Sequence, residues 1–234
     1  MSHSPLCAQP RRAARQRAPF LFDKAQAGRL LELASSLPDN PRAPLRGPSY
    51  RMVFALLFGL GLRVGEVARL CFKDVDLDRN LLIIRHTKFS KSRLVPFGPR
   101  MAEGLREYLK RRELTLGQFQ PNSPLFSFTK GRHIHPGTIS HTFHVLCPRL
   151  GLGMPPGMAL PRCHDLRHSF AVGTLIRWYR TGADPAQRLL QLSTFLGHVE
   201  PESTAVYLTI TEDLLEEAGS RFARFATPIL EVET

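Results

Sequence analysis

Apolar positions recur at helical spacing through most of the chain and change period once. Asp23-Lys-Ala-Gln26 has the form of a helix start, a carboxylate N-cap with a glutamine three residues on, and Leu30, Leu31 and Ala34 continue the stripe. Pro38 to Pro48 is dense in Pro, Asn and Arg and predicts a loop. Pro48 is placed to open a second helix, apolar from Met52 through Leu60, which Gly59 and Gly61 end or bend. A shorter helix follows from Gly65 to Cys71. Leu81–Ile84 and Arg93–Phe97 are short β-like runs on either side of the polar, basic segment Arg85–Ser92, which predicts a β-hairpin with a cationic tip. Pro99–Arg112 reads as a charged helix and Gly117–Gly137 as loop. Helices are then expected over 137–150, 164–178, 185–196, 201–208 and 211–225, interrupted by the Gly/Pro/Met stretch Gly151–Pro161. There is no internal repeat and no long low-complexity segment. The expected fold class is mainly α with a small antiparallel β-sheet (α+β) inserted early.

Composition adds a core and a partner class. Apolar residues are 43% of 234, enough for one large domain or two small ones. Lys and Arg number 32 against 20 Asp and Glu, a formal net charge of +12, which favours a polyanion such as nucleic acid. The longest apolar run, Met52–Leu62, is too short to span a bilayer, and no export signal is visible. Cys7, Cys71, Cys147 and Cys163 form no CxxC pair and suit neither a disulfide framework nor a zinc ribbon. A cytoplasmic protein with reduced thiols is expected. Residues 1–19 carry Arg11, Arg12, Arg15 and Arg17 with no acid, and read as a basic tail, either solvated or contacting DNA.

Four groupings could carry chemistry. Arg63 lies in the turn between two helices, with Glu66 three residues on to brace it; a surface salt bridge is the plainer explanation. Lys88 and Lys91 lie on the hairpin tip, where a solvated turn is the alternative. His164-Asp165-Leu-Arg167-His168 puts positions 164, 167 and 168 on one helical face. That face reads as a phosphate cradle, or as a HExxH-like zinc site with Asp in place of Glu. His198, after Leu-Gly, is followed nine residues later by Tyr207, which taken alone reads as packing. His133, His135, His141 and His144 are read as surface or loop histidines.

Together and in order, these make a phosphate site with a nucleophile. Guanidinium forks match the non-bridging oxygens of a phosphodiester, on which the transition state spreads its charge. A phenol, with a pKa of about 10, attacks only with a base and a cationic field nearby. A lysine can protonate the leaving alkoxide. No carboxylate cluster suited to Mg²⁺ lies near these residues, which argues against a two-metal nuclease.

With these pieces the chain resembles the tyrosine recombinases, or phage integrase family. The resemblance runs from Pro19 to Phe225 and rests on Gly-Leu-Arg63-Val-Gly-Glu66, Thr-Lys88-Phe-Ser-Lys91-Ser-Arg93-Leu-Val-Pro-Phe97, His164-Asp-Leu-Arg167-His168, Leu-Gly-His198 and Tyr207. It implies a catalytic domain over 20–226, a tail at 227–234, and no full N-terminal core-binding domain. It also implies that Tyr207 attacks the scissile phosphate to give a 3′-phosphotyrosyl link, with no metal or other cofactor. Arg63 and Arg167 would clamp the non-bridging oxygens and Lys88 would protonate the leaving oxygen. His164 would help deprotonate Tyr207, and His198 would hydrogen-bond the phosphate. Glu66, Asp165 and His168 would support the site, and Lys91 and Arg93 would contact DNA; Lys88 and Lys91 both remain open as the acid. The implied partner is a double-stranded DNA recombination site, held by a homo-tetramer whose C-terminal helices dock in trans. A recombinase-fold protein that binds DNA without recombining it, and a zinc hydrolase using His164 and His168, are the alternatives.

Overall fold

The computed structural model describes residues 19–85, 92–128, 131–154, 159–197 and 204–208. The basic tail, the hairpin-tip lysines Lys88 and Lys91, His198, the expected helix over 211–225 and the tail at 227–234 lie outside the described residues.

Helix α1 (Lys24–Ser35) opens on the expected capping box. The Asp23 carboxylate accepts from the Gln26 amide at 2.7 Å, and the Gln26 side chain accepts from the Asp23 amide at 3.0 Å. Its buried residues, Ala27, Leu30 and Ala34, keep the i, i+3, i+4 spacing of one apolar face. Helix α2 (Arg46–Leu60) is buried nearly all round, through Tyr50, Met52, Val53, Phe54, Leu56 and Leu57, because it packs against α1, α4 and α6 at once. It starts two residues before Pro48. The Asp39 carboxylate accepts from the Arg46 amide at 2.8 Å and supplies the cap that the loop sequence hides. Gly61 ends the helix at φ 60, where a Cβ would run into Phe170 and Leu196.

Helix α3 (Val64–Arg69) leads into a three-stranded antiparallel sheet, ordered β1 (Val75–Asp76), β2 (Leu81–Ile84), β3 (Arg93–Pro96). The predicted hairpin is present, with Leu82 opposite Val95 and Ile84 opposite Arg93. The edge strand β1 has two residues, too short to show a period in sequence. Helix α4 (Pro99–Leu116) runs past Arg112 to the next breaker, Gly117. Helix α5 (Pro136–Leu146) tightens into a 3-10 turn at Cys147–Leu150, since Pro148 has no amide to continue the α ladder. Helices α6 (Asp165–Arg180) and α7 (Pro185–Leu196) and a helical turn, α8, over 204–208 complete the described chain.

The main core joins α1 to α5 and the sheet. A smaller one gathers Ala171, Val172 and Leu175 of α6, Leu192 and Leu196 of α7, and Tyr207. α6 belongs to both, packing on α2 while the Ser169 hydroxyl accepts from the Phe22 amide at 2.8 Å. No helix among the described residues is long and apolar enough to cross a membrane.

The α1–α2 contact depends on Gly47, where a Cβ would strike the backbone carbonyls of Ser35 and Leu37. Gly47→Ala is expected to destabilise the fold by about 1–3 kcal/mol, because backbone atoms cannot step aside. Gly28→Ala, inside α1 with nothing within 4 Å, is expected to stabilise by roughly 0.5–1 kcal/mol. Urea melts of the two variants check both signs.

Candidate active site

Helix α7 ends beside the turn that follows α2, and its last carbonyls find no partner within the helix. Three arginines from distant segments supply it. Arg93 Nε donates to Phe195 O at 2.9 Å, Arg167 Nη2 to Leu196 O at 2.8 Å, and Arg63 Nη2 to Gly197 O at 2.9 Å. Arg167 Nη1 also donates to Gly61 O at 2.6 Å, so one guanidinium ties the end of α2 to the end of α7. The negative end of the α7 dipole faces this cluster of cations.

Glu66 holds two of them together. Its carboxylate accepts both Arg93 terminal nitrogens, at 2.8 and 2.9 Å, Arg63 Nη1 at 3.0 Å, and the Arg63 amide at 2.9 Å. Burial alone would raise its pKa. The hydrogen bonds and charge of Arg93, then those of Arg63, win and hold it at about 2. The sequence predicted the Arg63–Glu66 pair as a brace, and the structure builds it with the Glu66 side chain only 2% exposed.

Arg93 departs from expectation. As a hairpin residue it was expected to contact DNA. Its side chain is 10% exposed, and its guanidinium is taken up by Glu66 and Phe195 O and fills the space a Cβ on Gly197 would need. It is a brace between the sheet and α7. The signal was available: Arg93 lies two residues before buried Val95, hence on the inner face of β3.

α6 brings in the histidines. Asp165 is wholly buried and accepts from the Arg162 amide at 2.8 Å, which fixes the lead into the helix. Arg167, 1% exposed, follows on the inner face. Burial, then the charge of Arg63, weakens its hold on its proton, against Glu66 and Tyr207, yet a guanidinium stays charged at neutral pH. Among the described residues its Nε finds no hydrogen-bond partner. His164 and His168, one turn apart, meet edge to face with ring centroids 4.6 Å apart. Burial and the nearby charges of His168, Arg167, Arg162 and Arg63 push His164 well below its ordinary pKa. Tyr207, 3% exposed, lies against α6 with its hydroxyl 2.7 Å from His168 Nδ1. Burial raises the phenol's pKa, and Arg167 and Arg63 oppose the rise.

The structure thus brings together Arg63, Glu66, Arg93, His164, Asp165, Arg167, His168 and Tyr207. Three guanidinium groups outnumber the two buried carboxylates of the cluster, Glu66 and Asp165, so it stays cationic. Arg63, whose side chain is 36% exposed, offers that charge to solvent. Such a cationic cluster is able to hold an anion such as a phosphodiester, with a phenol and two imidazoles beside it. Among the described residues, no three His, Cys, Asp or Glu side chains gather as metal ligands do.

The family model described as the phage integrase family matches residues 22–213. The integrase/recombinase y4rB of Sinorhizobium fredii is 42% identical over 217 residues, covering 92% of this chain and 68% of that protein. Tyrosine recombinase XerA of Thermococcus onnurineus is 30% identical over 186 residues, covering 77% of this chain and 57% of that protein. The crystal structure of XerA recombinase matches with a TM-score of 0.66 at 26% identity, covering 92% of this chain and 67% of that one. The XerH site-specific recombinase, bound to palindromic difH substrate in a post-cleavage complex, shares the fold at 22% identity and a TM-score of 0.65, covering 91% of this chain and 56% of that one. The chain therefore spans between about half and two-thirds of these proteins' lengths.

Glu66 makes the site sensitive to acid. Its folded pKa lies below its unfolded value, so its contribution is fully present above the ordinary carboxylate range and is lost as pH falls through about 2. That contribution is on the order of 3 kcal/mol. Glu66→Gln is expected to lower stability at pH 7 by about 3–5 kcal/mol, since it leaves buried guanidinium unpaired. It should also flatten the decline of stability between pH 4.5 and pH 2, read as urea midpoints across that range.

Proposed function

The chain belongs to the phage integrase family, and on that premise we propose that it cuts and rejoins DNA strands at a recombination site through a covalent tyrosyl intermediate. The observation that carries this reading is the position of the Tyr207 hydroxyl. It is held at His168, one residue along α6 from Arg167, whose guanidinium shares the α7 terminus with Arg63. A nucleophile and a cationic phosphate cradle are assembled from segments more than a hundred residues apart in sequence.

In this reading Arg63 and Arg167 hold the non-bridging oxygens and stabilise the charge that develops on them. Tyr207 Oη attacks phosphorus, the bond to the 5′ oxygen breaks, and that oxygen takes a proton from Lys88. His164 and His198 steady the phosphate, and Glu66 and Arg93 hold Arg63 and the end of α7 in place. The phosphotyrosyl ester keeps the energy of the broken bond, so a 5′ hydroxyl can reverse the attack without nucleotide or metal. Duplex DNA as partner is supported by the net charge of +12 and by the XerH complex with its DNA substrate. We place the reaction in a cytoplasmic homo-tetramer with C-terminal helices exchanged between protomers, in the service of a mobile element. One second reading, a protein that binds DNA without completing recombination, draws on the burial of Arg167, which is 1% exposed with both terminal nitrogens donating to backbone carbonyls.

The test is covalent trapping on nicked suicide duplexes drawn from the DNA flanking the protein's own gene, with EDTA present. A protein–DNA adduct on a denaturing gel is expected from the native protein, and none from Tyr207→Phe. Intact binding with no native adduct would replace this reading with the second one, and an adduct that survives Tyr207→Phe would remove Tyr207 as nucleophile.

A further inference from the structure

We propose that His168, rather than His164, is the group that exchanges the Tyr207 proton. The inference rests on the strand-transfer reading above and assigns a residue within it.

The argument begins with contact. His168 Nδ1 lies 2.7 Å from Tyr207 Oη, within the reach a proton transfer needs. The two rings are tilted by 57° with centroids 5.5 Å apart, so the hydrogen bond, and not stacking, defines the pair. His164 instead presents its ring to the His168 ring, edge to face. In the tautomer with the ring proton on Nε2, Tyr207 donates to a bare Nδ1, and that is the tautomer the transfer requires. Both partners are fixed, His168 on a sixteen-residue helix and Tyr207 in the small core of α6, α7 and α8.

The surroundings suit a base that cycles. The groups facing His168 are His164, Asp165 and Arg167 on α6 and its cap, Arg162 just before it, and Tyr207 across from it. Burial, aided by Arg162 and Arg167, keeps the ring neutral and able to accept, while Asp165 supports the imidazolium once formed. The proton balance closes in both directions. On cleavage, the Oη proton moves to Nδ1 as the Oη–P bond forms and the P–O5′ bond breaks, and the 5′ oxygen takes its proton from the general acid. On ligation, a 5′ hydroxyl gives up its proton to that same group, attacks phosphorus and expels Oη, which recovers its proton from the His168 imidazolium. His164 is then left to hydrogen-bond the phosphate.

The test uses the full chain in single-turnover adduct formation on the suicide duplex, from pH 5 to pH 9. In His168→Asn the side-chain amide can keep a hydrogen bond at the Nδ1 position but cannot take a proton. Adduct formation is expected to fall by about 10²- to 10⁴-fold, and the acid limb of the pH–rate profile should vanish. His164→Asn should keep that limb. A His168→Asn protein with native rate and native limb overturns the assignment, as does loss of the limb in His164→Asn alone. Should the Asn variant not fold, NMR titration of the His168 ring in native and Tyr207→Phe protein decides. Losing the phenol's hydrogen bond should raise the ring's pKa, and an unchanged value overturns the pair. A native protein that forms no adduct removes the strand-transfer reading itself, and this assignment with it, whereas a native adduct with unaffected His168→Asn removes this assignment alone.

Discussion

The buried carboxylate of Glu66 is the interaction on which the site depends. Guanidinium groups brought together repel one another, and each costs free energy to bury. Glu66 offsets part of that cost by accepting from two of them, and the unpaired carbonyls at the end of α7 accept from all three. The compensation is deliberately short of complete in charge. Carbonyls satisfy N–H groups but carry no formal charge, so three guanidinium cations against the carboxylates of Glu66 and Asp165 leave a net positive charge with its hydrogen bonds already organised. That is the condition in which added phosphate gains most, since the donors need not reorient when it arrives.

The same arrangement explains why the site is rigid where it must be. Gly61 lets α2 stop abruptly and brings its last turn against Phe170 and Leu196. Arg167 crosses that junction, and Arg93 couples the sheet to it. A displacement of α7 would therefore break hydrogen bonds to three guanidinium groups at once, and the two hydrophobic cores resist such sliding from either side.

Much of this was legible in the sequence. Asp23 and Gln26 announced α1, the break in period at Leu81 announced the hairpin, and the spacing of Arg63 and Glu66 announced a brace. The one-face placement of His164, Arg167 and His168 was legible in their spacing, which left a phosphate cradle and a zinc site both open. What was not legible had physical causes. The carbonyls of Phe195, Leu196 and Gly197 are backbone groups, with no residue signature, yet they receive all three arginines. The inward turn of Arg93 follows from its register with Val95, which the cationic character of the loop beside it obscured. The contact of His168 with Tyr207 depends on how α8 lies across α6, a tertiary fact that local spacing does not encode. The early start of α2 came from Asp39, seven residues before the amide it caps.

The wide separation of the arginines from the carbonyls they bind has a consequence for biosynthesis. Arg63 and Gly197 are 134 positions apart, so a chain emerging from the ribosome makes Arg63 and Glu66 long before the end of α7 exists. At translation rates of roughly 5–20 residues per second, that interval is on the order of ten seconds. By its end the main core has most of its elements, but until then the cationic cluster lacks the end of α7, and Tyr207 has not been added. A nascent or prematurely terminated product therefore carries Arg63 and Glu66 without Tyr207. The side chains that gather the positive charge are thus made well before the helix end that fixes them and before Tyr207.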